Sequence, residues 1–409
     1  MNLWLVNHYA ILPQQAGGTR HYTLARELVE RGHQVTIVAS SFDHTTRQEM
    51  HLRDGAPSRL EVVDGVRFLW LRTPPYSGNS ARRLWNTMVF ARKVLGLRTA
   101  DLGGPPDVVL GSSPHLFAAW AAERLARRHR VPFVLEVRDL WPQSLVDLGN
   151  FSQGHPFIRW LEYIERGLYQ RANCIITLLP GAGEHIAEKG GDISCITWIP
   201  NGVDLSMLPP PKPPQYDGAF TFLYAGTHGL ANRLDFLLDA VHHVQSQRSD
   251  MPIRFRFVGD GPEKPALIKH SQKLGLKNIF FEDPVPKCEI SRVIASANAF
   301  MVALQDTSLY RWGISLNKMY DYLAMARPIA LAAPGSIYNN PVEEAGAGLT
   351  APANDARAYA GRLLELASMS TEKLWEMGLK GRRYVEENHN FSRLADKLES
   401  VLEDALNNH

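Results

Sequence analysis

Cysteine is scarce: three residues in 409, Cys174, Cys195 and Cys288, odd in number and widely spaced. That excludes a disulfide framework and a zinc cluster of C-x-x-C type, and it fits a reducing, cytoplasmic setting. Nowhere do about 18 apolar residues run without a charge, so no membrane-spanning helix is expected. The start Met1-Asn2-Leu3-Trp4-Leu5-Val6 is apolar but has no basic flank and breaks at Asn7-His8. It reads as a first strand rather than a signal peptide. Short internal repeats are absent, low complexity is confined to one proline tract, and no strict G-x-G-x-x-G fingerprint occurs.

What is present is ordinary globular material, 45% hydrophobic and 21% charged, long enough for two or three domains. The net charge of +2 hides an asymmetry. Residues 1–139 carry 18 Lys and Arg against 12 Asp and Glu, giving +6, while residues 140–409 carry 26 against 30, giving −4. A basic first third favours an anionic partner, whether lipid head group, phosphate or nucleic acid.

Short apolar runs alternate with helical patterns, the signature of βαβ units and parallel sheets. Strands are expected at 2–6, 34–39, 67–71, 108–111, 133–137, 174–178 and 194–199, with a first crossover helix at 19–31 closed by Gly32. Pro209, Pro210, Pro211, Pro213 and Pro214 can form neither helix nor central strand, and they read as a domain linker. Beyond them the alternation restarts, with strands at 220–225, 254–258, 278–281, 299–303 and 329–332 and helices at 234–247 and 265–274. The stretch 371–406 is helical in pattern, anchored by Tyr384, Phe391, Leu394 and Leu398. The expected division is an N-terminal Rossmann-like domain at 1–207, a second at 208–380, and a C-terminal helix at 381–409 that crosses back to the first.

Several strand ends carry candidate chemistry. Gly17-Gly18-Thr19-Arg20 opens a helix after the first strand, where backbone N–H groups can meet a phosphate, although a Gly-Gly pair can equally be a plain turn. Glu136-Val137-Arg138-Asp139 closes a strand at the ligand-facing edge of an α/β sheet. There Asp139 or Glu136 faces a polar substrate, or Arg138 and Asp139 merely pair to cap a loop. Gly226-Thr227-His228-Gly229 and Gly259-Asp260-Gly261-Pro262 end successive strands, and together they point to a nucleotide site. Lys318 and Asp321 are three apart, so on a helix they share one face. An ammonium there can meet a diphosphate while a carboxylate accepts ribose hydroxyls; the alternative is an exposed ion pair worth a few tenths of a kcal/mol. His115 is a further candidate in the first half.

The ordered set of Gly17-Gly18, Pro200-Asn201-Gly202-Val203-Asp204, Gly226-Thr227, Gly259-Asp260-Gly261-Pro262, Pro284-Val285-Pro286-Lys287 and the helix from Lys318 to Pro328 resembles the family 4 GT-B glycosyltransferases. Arg138-Asp139-Leu140-Trp141-Pro142 and Asn317-Lys318 look like the bacterial N-acetyl-L-fucosamine transferase branch. The resemblance implies an α/β fold of two Rossmann-like domains facing each other across a cleft, and retaining transfer from a UDP-sugar without metal or other cofactor. It places Gly17 and Gly18 at the donor diphosphate and sugar, and backbone at Val285 to Lys287 on the base. Asp321 becomes the second acid of the family's E-x7-E element. Gly313 stands where the first Glu belongs, which removes a usual contact to the donor sugar. Thr227 and Asn232 stand where the family often has an Arg and a Lys, so charge compensation falls to Lys318, with Arg20 and Arg233 behind it. No D-x-D element appears, and in a front-face reaction the leaving phosphate can take the acceptor proton, which leaves Asp139, Glu136 and Lys318 as the residues acting around the reacting bond.

Residues 80–98, from Ser80 on, interleave Arg82, Arg83, Arg92, Lys93 and Arg98 with Leu84, Trp85, Met88, Val89 and Phe90. Such a helix suits a lipid interface, or packs on its own sheet with its arginines exposed. The first reading implies a polyprenyl-diphosphate-linked acceptor at the cytoplasmic membrane face, the second allows a soluble glycan. The expected function is extension of a cell-surface polysaccharide such as O-antigen or capsule. A two-domain nucleotide-sugar epimerase is the alternative enzyme. A nucleic-acid-binding module is a third reading, but no recognised reader motif supports it.

Overall fold

The computed structural model describes residues 1–15, 17–53, 55–78, 81–148, 151–214, 217–285 and 289–409. Ala16, Ser80, Pro286, Lys287 and Cys288 lie outside that set. Two compact units form: Met1–Pro200 with Phe391–His409, and Asn201–Asn390.

The first unit runs β1 (Asn2–Val6), α1 (Arg20–Glu30), β2 (Gln34–Ser40), β3 (Ser58–Val63), β4 (Val66–Leu71) and α2 (Ala81–Leu95). It continues with β5 (Val108–Ser112), α3 (Leu116–His129), β6 (Phe133–Val137), α4 (Gln143–Asp147), α5 (Pro156–Arg171), β7 (Cys174–Thr177), α6 (Ala182–Glu188) and β8 (Ile196–Trp198). The sheet order is β3-β4-β2-β1-β5-β6-β7-β8. All pairs are parallel except β3 with β4. Strands β5 and β6 are buried along their whole length, as expected of parallel strands covered on both faces. Strand β3 is an addition to the expected set: its exposed, charged sequence hides it, but Asp64 and Gly65 both take positive φ, 48° and 78°, the geometry of a tight hairpin turn.

The second unit contains β9 (Phe220–Ala225), α7 (Leu234–Gln247), β10 (Ile253–Val258), α8 (Lys264–Lys273), β11 (Ile279–Glu282), α9 (Ile290–Ala295) and β12 (Ala299–Ala303). It ends with α10 (Asn317–Ala324), β13 (Ile329–Ala333), α11 (Pro341–Glu344), β14 (Gly348–Pro352), α12 (Ala356–Ala367) and α13 (Thr371–Asn388). Its fully parallel sheet has the order β11-β10-β9-β12-β13-β14, the Rossmann order, so the topological switch lies between β9 and β12. In the first unit the same switch lies between β1 and β5.

The helical pattern at the C-terminus is broken in two, and this moves the expected boundary from 380/381 to 390/391. At the break, His389 is buried, bonds through Nδ1 to the Asn201 carbonyl at 3.0 Å and stacks on Tyr320 at 4.0 Å. Helix α14 (Phe391–Asn407) then buries Phe391, Leu394, Leu398 and Leu402 in the core that holds Leu24 and Leu28 of α1. Arg31 meets Asp396 at 2.8 Å and Glu399 at 3.3 Å, tying the two helices further. The proline tract is likewise no free linker, and the first boundary moves from 207/208 to 200/201. Val203, Leu205 and Leu208 pack on the cluster around α10, and Arg327 donates to the Lys212 carbonyl at 2.7 Å, strapping the tract to the second unit.

Candidate active site

In the second unit, the chain leaves β9 through Gly226, whose φ is +154°. A Cβ at Gly226 would stand 3.2 Å from Lys318 Nζ and 3.2 Å from the Tyr224 hydroxyl, so the bare glycine is what leaves room beside the ammonium. Lys318 Nζ donates to Tyr224 Oη at 2.8 Å and to Asn232 Oδ1 at 2.6 Å, and it lies 4.5 Å from the centre of the Tyr224 ring. Enclosed in this way, the ammonium is brought by burial down to about 7. Tyr224 and Asn232 in turn donate to the Thr227 carbonyl, at 2.8 and 2.9 Å. Helix α10 is set against the end of β9 by Tyr322, whose hydroxyl accepts from Ala225 N at 2.7 Å and donates to Ala225 O at 3.0 Å, while its ring stacks on Phe300 at 3.9 Å. Leu316 precedes α10 without a side-chain cap. The first-turn N–H groups therefore add their partial positive charge to that of Lys318.

The loop after β10 rides on the loop after β9. Gly259 has φ +142°, and a Cβ there would fall 2.0 Å from the Gly226 carbonyl oxygen; at Gly261 it would fall 2.3 Å from that of His228. His228 is fully buried beneath, and neither ring nitrogen has a hydrogen-bond partner among the described residues. Burial, helped by Lys264, lowers it to about 4, so the ring is neutral near pH 7. Lys264 itself is occupied by the Gly259 and Glu282 carbonyls, both at 3.0 Å, and by Asp283 at 3.1 Å. Asn317, Asp321 and Val285 are half-buried, Thr227 is exposed, and Asp321 sits one turn after Lys318 on α10. Arg233 bends back to Asp235 at 3.4 Å.

Gly313 has φ +104° and ψ −179°, a region open essentially to glycine alone. A glutamate at this position would be strained by the course the loop takes here.

In the first unit, Gly17 and Gly18 are exposed just before α1, Gly17 with φ +142°. Thr19 caps α1 without a side-chain bond, which leaves that helix end open as well. Arg20, expected to hold phosphate, instead turns inward and is 2% exposed. Its Nε donates to Glu136 at 2.8 Å, and its two terminal nitrogens donate to the Ile199 carbonyl at 2.9 Å and to the Pro200 carbonyl. Glu136, expected beside the reacting bond, is equally interior. It also meets His21 Nε2 at 2.7 Å and accepts from Ser112 at 2.5 Å. Burial alone would raise this carboxyl, but Arg20 and His21 outweigh it and hold it well below the usual carboxylate range. Both side chains point into the interior, where they tie the start of α1 and the end of β6 to the segment after β8.

Arg138 and Asp139 follow β6 at its carboxyl end. Arg138 N donates to Ser113 Oγ at 2.8 Å, its side chain is half-buried, and its Nε finds no partner among the described residues. The Asp139 side chain is exposed. Among the described residues no ion pair joins the two, so the capping pair weighed from sequence does not form. His115 is buried: its Nε2 lies 2.8 Å from His8 Nδ1, and burial takes it down to about 3, so it serves the interior. Sequence reasoning missed Tyr224 and Tyr322 altogether. Tyr322 could have been found, since it stands four residues after Lys318 and must face the same strand. Among the described residues no group of three His, Cys, Asp or Glu could hold a metal ion.

Comparison with known proteins agrees with this geometry. A glycosyl transferase 4-like domain model matches residues 16–202, and a glycosyl transferases group 1 model matches residues 219–369. The probable glycosyltransferase WbjE of Pseudomonas aeruginosa is 23% identical over 251 residues, 59% of this chain and 61% of that protein, so the match spans about three fifths of its length. Among solved structures, the sucrose-phosphate synthase of Thermosynechococcus elongatus superposes with TM-score 0.74 at 16% identity over 98% of both chains. Anabaena HepE, solved in complex with UDP and glucose, gives 0.68 at 14% identity over 98% of this chain and 99% of its own. With both halves matched by glycosyl transferase models and both built as Rossmann-like sheets, the chain belongs to the GT-B glycosyltransferases.

Proposed function

We propose that the chain is a retaining, metal-independent transferase that moves a sugar from a UDP-sugar to a glycan or polyprenyl-diphosphate-linked acceptor, in the cytoplasm, for a cell-surface polysaccharide such as O-antigen or capsule. The observation that carries the reading is Lys318 at the open start of α10, set against a glycine with no side chain to crowd its ammonium. A diphosphate is the ligand such a place suits: the cation and the helix N–H groups oppose its charge, and both act most strongly as the bond to the sugar breaks. Asp321 then takes ribose hydroxyls, and Gly17 and Gly18 offer backbone N–H groups to the donor. In the reaction the bond from the anomeric carbon to the diphosphate oxygen breaks and a bond to the acceptor oxygen forms on the same face. The acceptor's proton passes to the departing phosphate, with Asp139 orienting the acceptor hydroxyl. That HepE was solved with UDP and glucose supports a UDP donor. The resemblance of Arg138 to Pro142 and of Asn317-Lys318 to N-acetyl-L-fucosamine transferases is what suggests an N-acetylated amino- or deoxyhexose as the transferred sugar.

The test is UDP release from a panel of UDP-sugars, with and without lipid-linked acceptor, in the presence of EDTA. Acceptor-dependent release that EDTA leaves unchanged, giving a product of unchanged anomeric configuration by NMR, is expected. Epimerisation without acceptor, or loss of activity in EDTA, sinks the reading.

A further inference from the structure

Three helices of the first unit lie side by side, α3 packing against both α2 and α5. Each turns a tryptophan and an arginine outward. On α2, Arg82, Trp85, Met88 and Arg92 follow one another at helical spacing along the exposed face, with Trp85 58% and Met88 41% exposed, while Asn86, Phe90 and Val94 face the core. On α3, Arg124 lies 5.3 Å from the ring centre of half-exposed Trp120. On α5, Trp160 is 44% and Tyr163 78% exposed, between the exposed Arg159 and Arg166. Trp160 sits 5.5 Å from Phe117 at the start of α3, and Phe90 of α2 stacks on His8, itself bonded to His115 just before α3. The outward tryptophans of α2 and α5 therefore lie toward the same end of the helical layer.

We propose that this face docks on an anionic lipid bilayer, with Trp85, Met88, Trp160 and Tyr163 at head-group depth and Arg82 and Arg92 against lipid phosphates. Charge selects the occupant. Between Gly65 and Ala100 the chain has no Asp or Glu, while Arg72, Arg82, Arg83, Arg92, Lys93 and Arg98 fall within it. Chemistry narrows it further. A soluble polyanion would satisfy the arginines and leave the tryptophans in water, whereas the interface of a bilayer takes both, since Trp and Tyr rings prefer head-group depth and each nearby cation adds attraction to anionic lipid. No helix among the described residues is long and apolar enough to cross a membrane, so attachment by this face would be peripheral. The inference goes beyond the donor-site reading and does not depend on it.

The experiment is co-sedimentation of the full chain with vesicles of phosphatidylcholine alone and of phosphatidylcholine with phosphatidylglycerol. Binding to the second kind only is expected, weakened about 30-fold in Arg82→Gln/Arg92→Gln, at about five- to sixfold per cation. Trp85→Ser should weaken it too, and its loss should persist at high salt where the arginine effect fades. Unchanged melting temperature and UDP affinity in these variants show that the fold and the donor site are intact; should Trp160→Ser lower the melting temperature, Trp85→Ser alone decides. Equal sedimentation with neutral vesicles, tryptophan variants that bind like the parent, binding of dextran sulfate that competes fully with the vesicles, or a lipid-free dimer abolished by Trp85→Ser would each overturn the proposal.

Discussion

Lys318 makes the donor-site reading quantitative, because its ammonium sits near half-protonation at neutral pH, at about 7. If only the charged form binds the diphosphate, the apparent dissociation constant scales as one plus ten raised to the difference between pH and that pKa. Between pH 7 and pH 9 the factor rises about 50-fold, or about 2.3 kcal/mol, provided the bound ammonium stays protonated. His228 titrates at about 4, burial holds Tyr224 above this window, and the last ionisation of a phosphate, near 6, is complete below it. Isothermal titration of UDP at half-unit steps of pH is the assay. In Lys318→Arg the slope should vanish, since a guanidinium stays charged throughout. Lys318→Met and Asp321→Ala should each weaken binding at pH 7 by about 1–3 kcal/mol, the worth of a charged hydrogen bond. A parent protein whose UDP affinity is flat from pH 7 to pH 9, or a methionine variant that binds like the parent, would refute the reasoning.

Three further outcomes can be stated. Glu136→Gln leaves Arg20 buried without its counter-charge and should cost about 3–5 kcal/mol of stability, read by urea unfolding; a loss under about 1 kcal/mol would contradict the buried pair. Because His115 titrates at about 3 when folded against 6.5 when unfolded, the unfolded chain binds the extra proton as pH falls below 6.5. Stability should drop by about 2 kcal/mol from this group between pH 7 and pH 5, and His115→Asn should show a correspondingly shallower dependence in denaturant melts. Gly313→Glu, which restores the family pattern on paper, should destabilise by about 1–3 kcal/mol in thermal unfolding and leave UDP binding no tighter, because its φ of +104° strains any side chain.

Much of the architecture was legible because parallel strands buried on both faces are near-continuous apolar runs, and β5, β6, β9, β12 and β13 fit that pattern, broken by a charge only at Glu136. Edge strands lack that constraint. Strand β3, exposed and charged, and β14, only partly buried, escaped for this reason. The proline tract was rightly excluded from helix and sheet, yet composition could not reveal that Arg327 fastens it to the second unit.

For the site, the sequence by itself determined which residues stand at strand ends and that Lys318 and Asp321 share a helical face, since chain order and helical period are local properties. Only the tertiary structure decided which way each charge points. Arg20 and Glu136 lie 116 positions apart and cancel each other inside the first unit, while Lys318 meets the neutral Tyr224 and Asn232 from 94 and 86 positions away, beside a bare glycine. A cation's role depends on the partners that burial brings to it, and those partners come from distant parts of the chain that no local pattern pairs in advance.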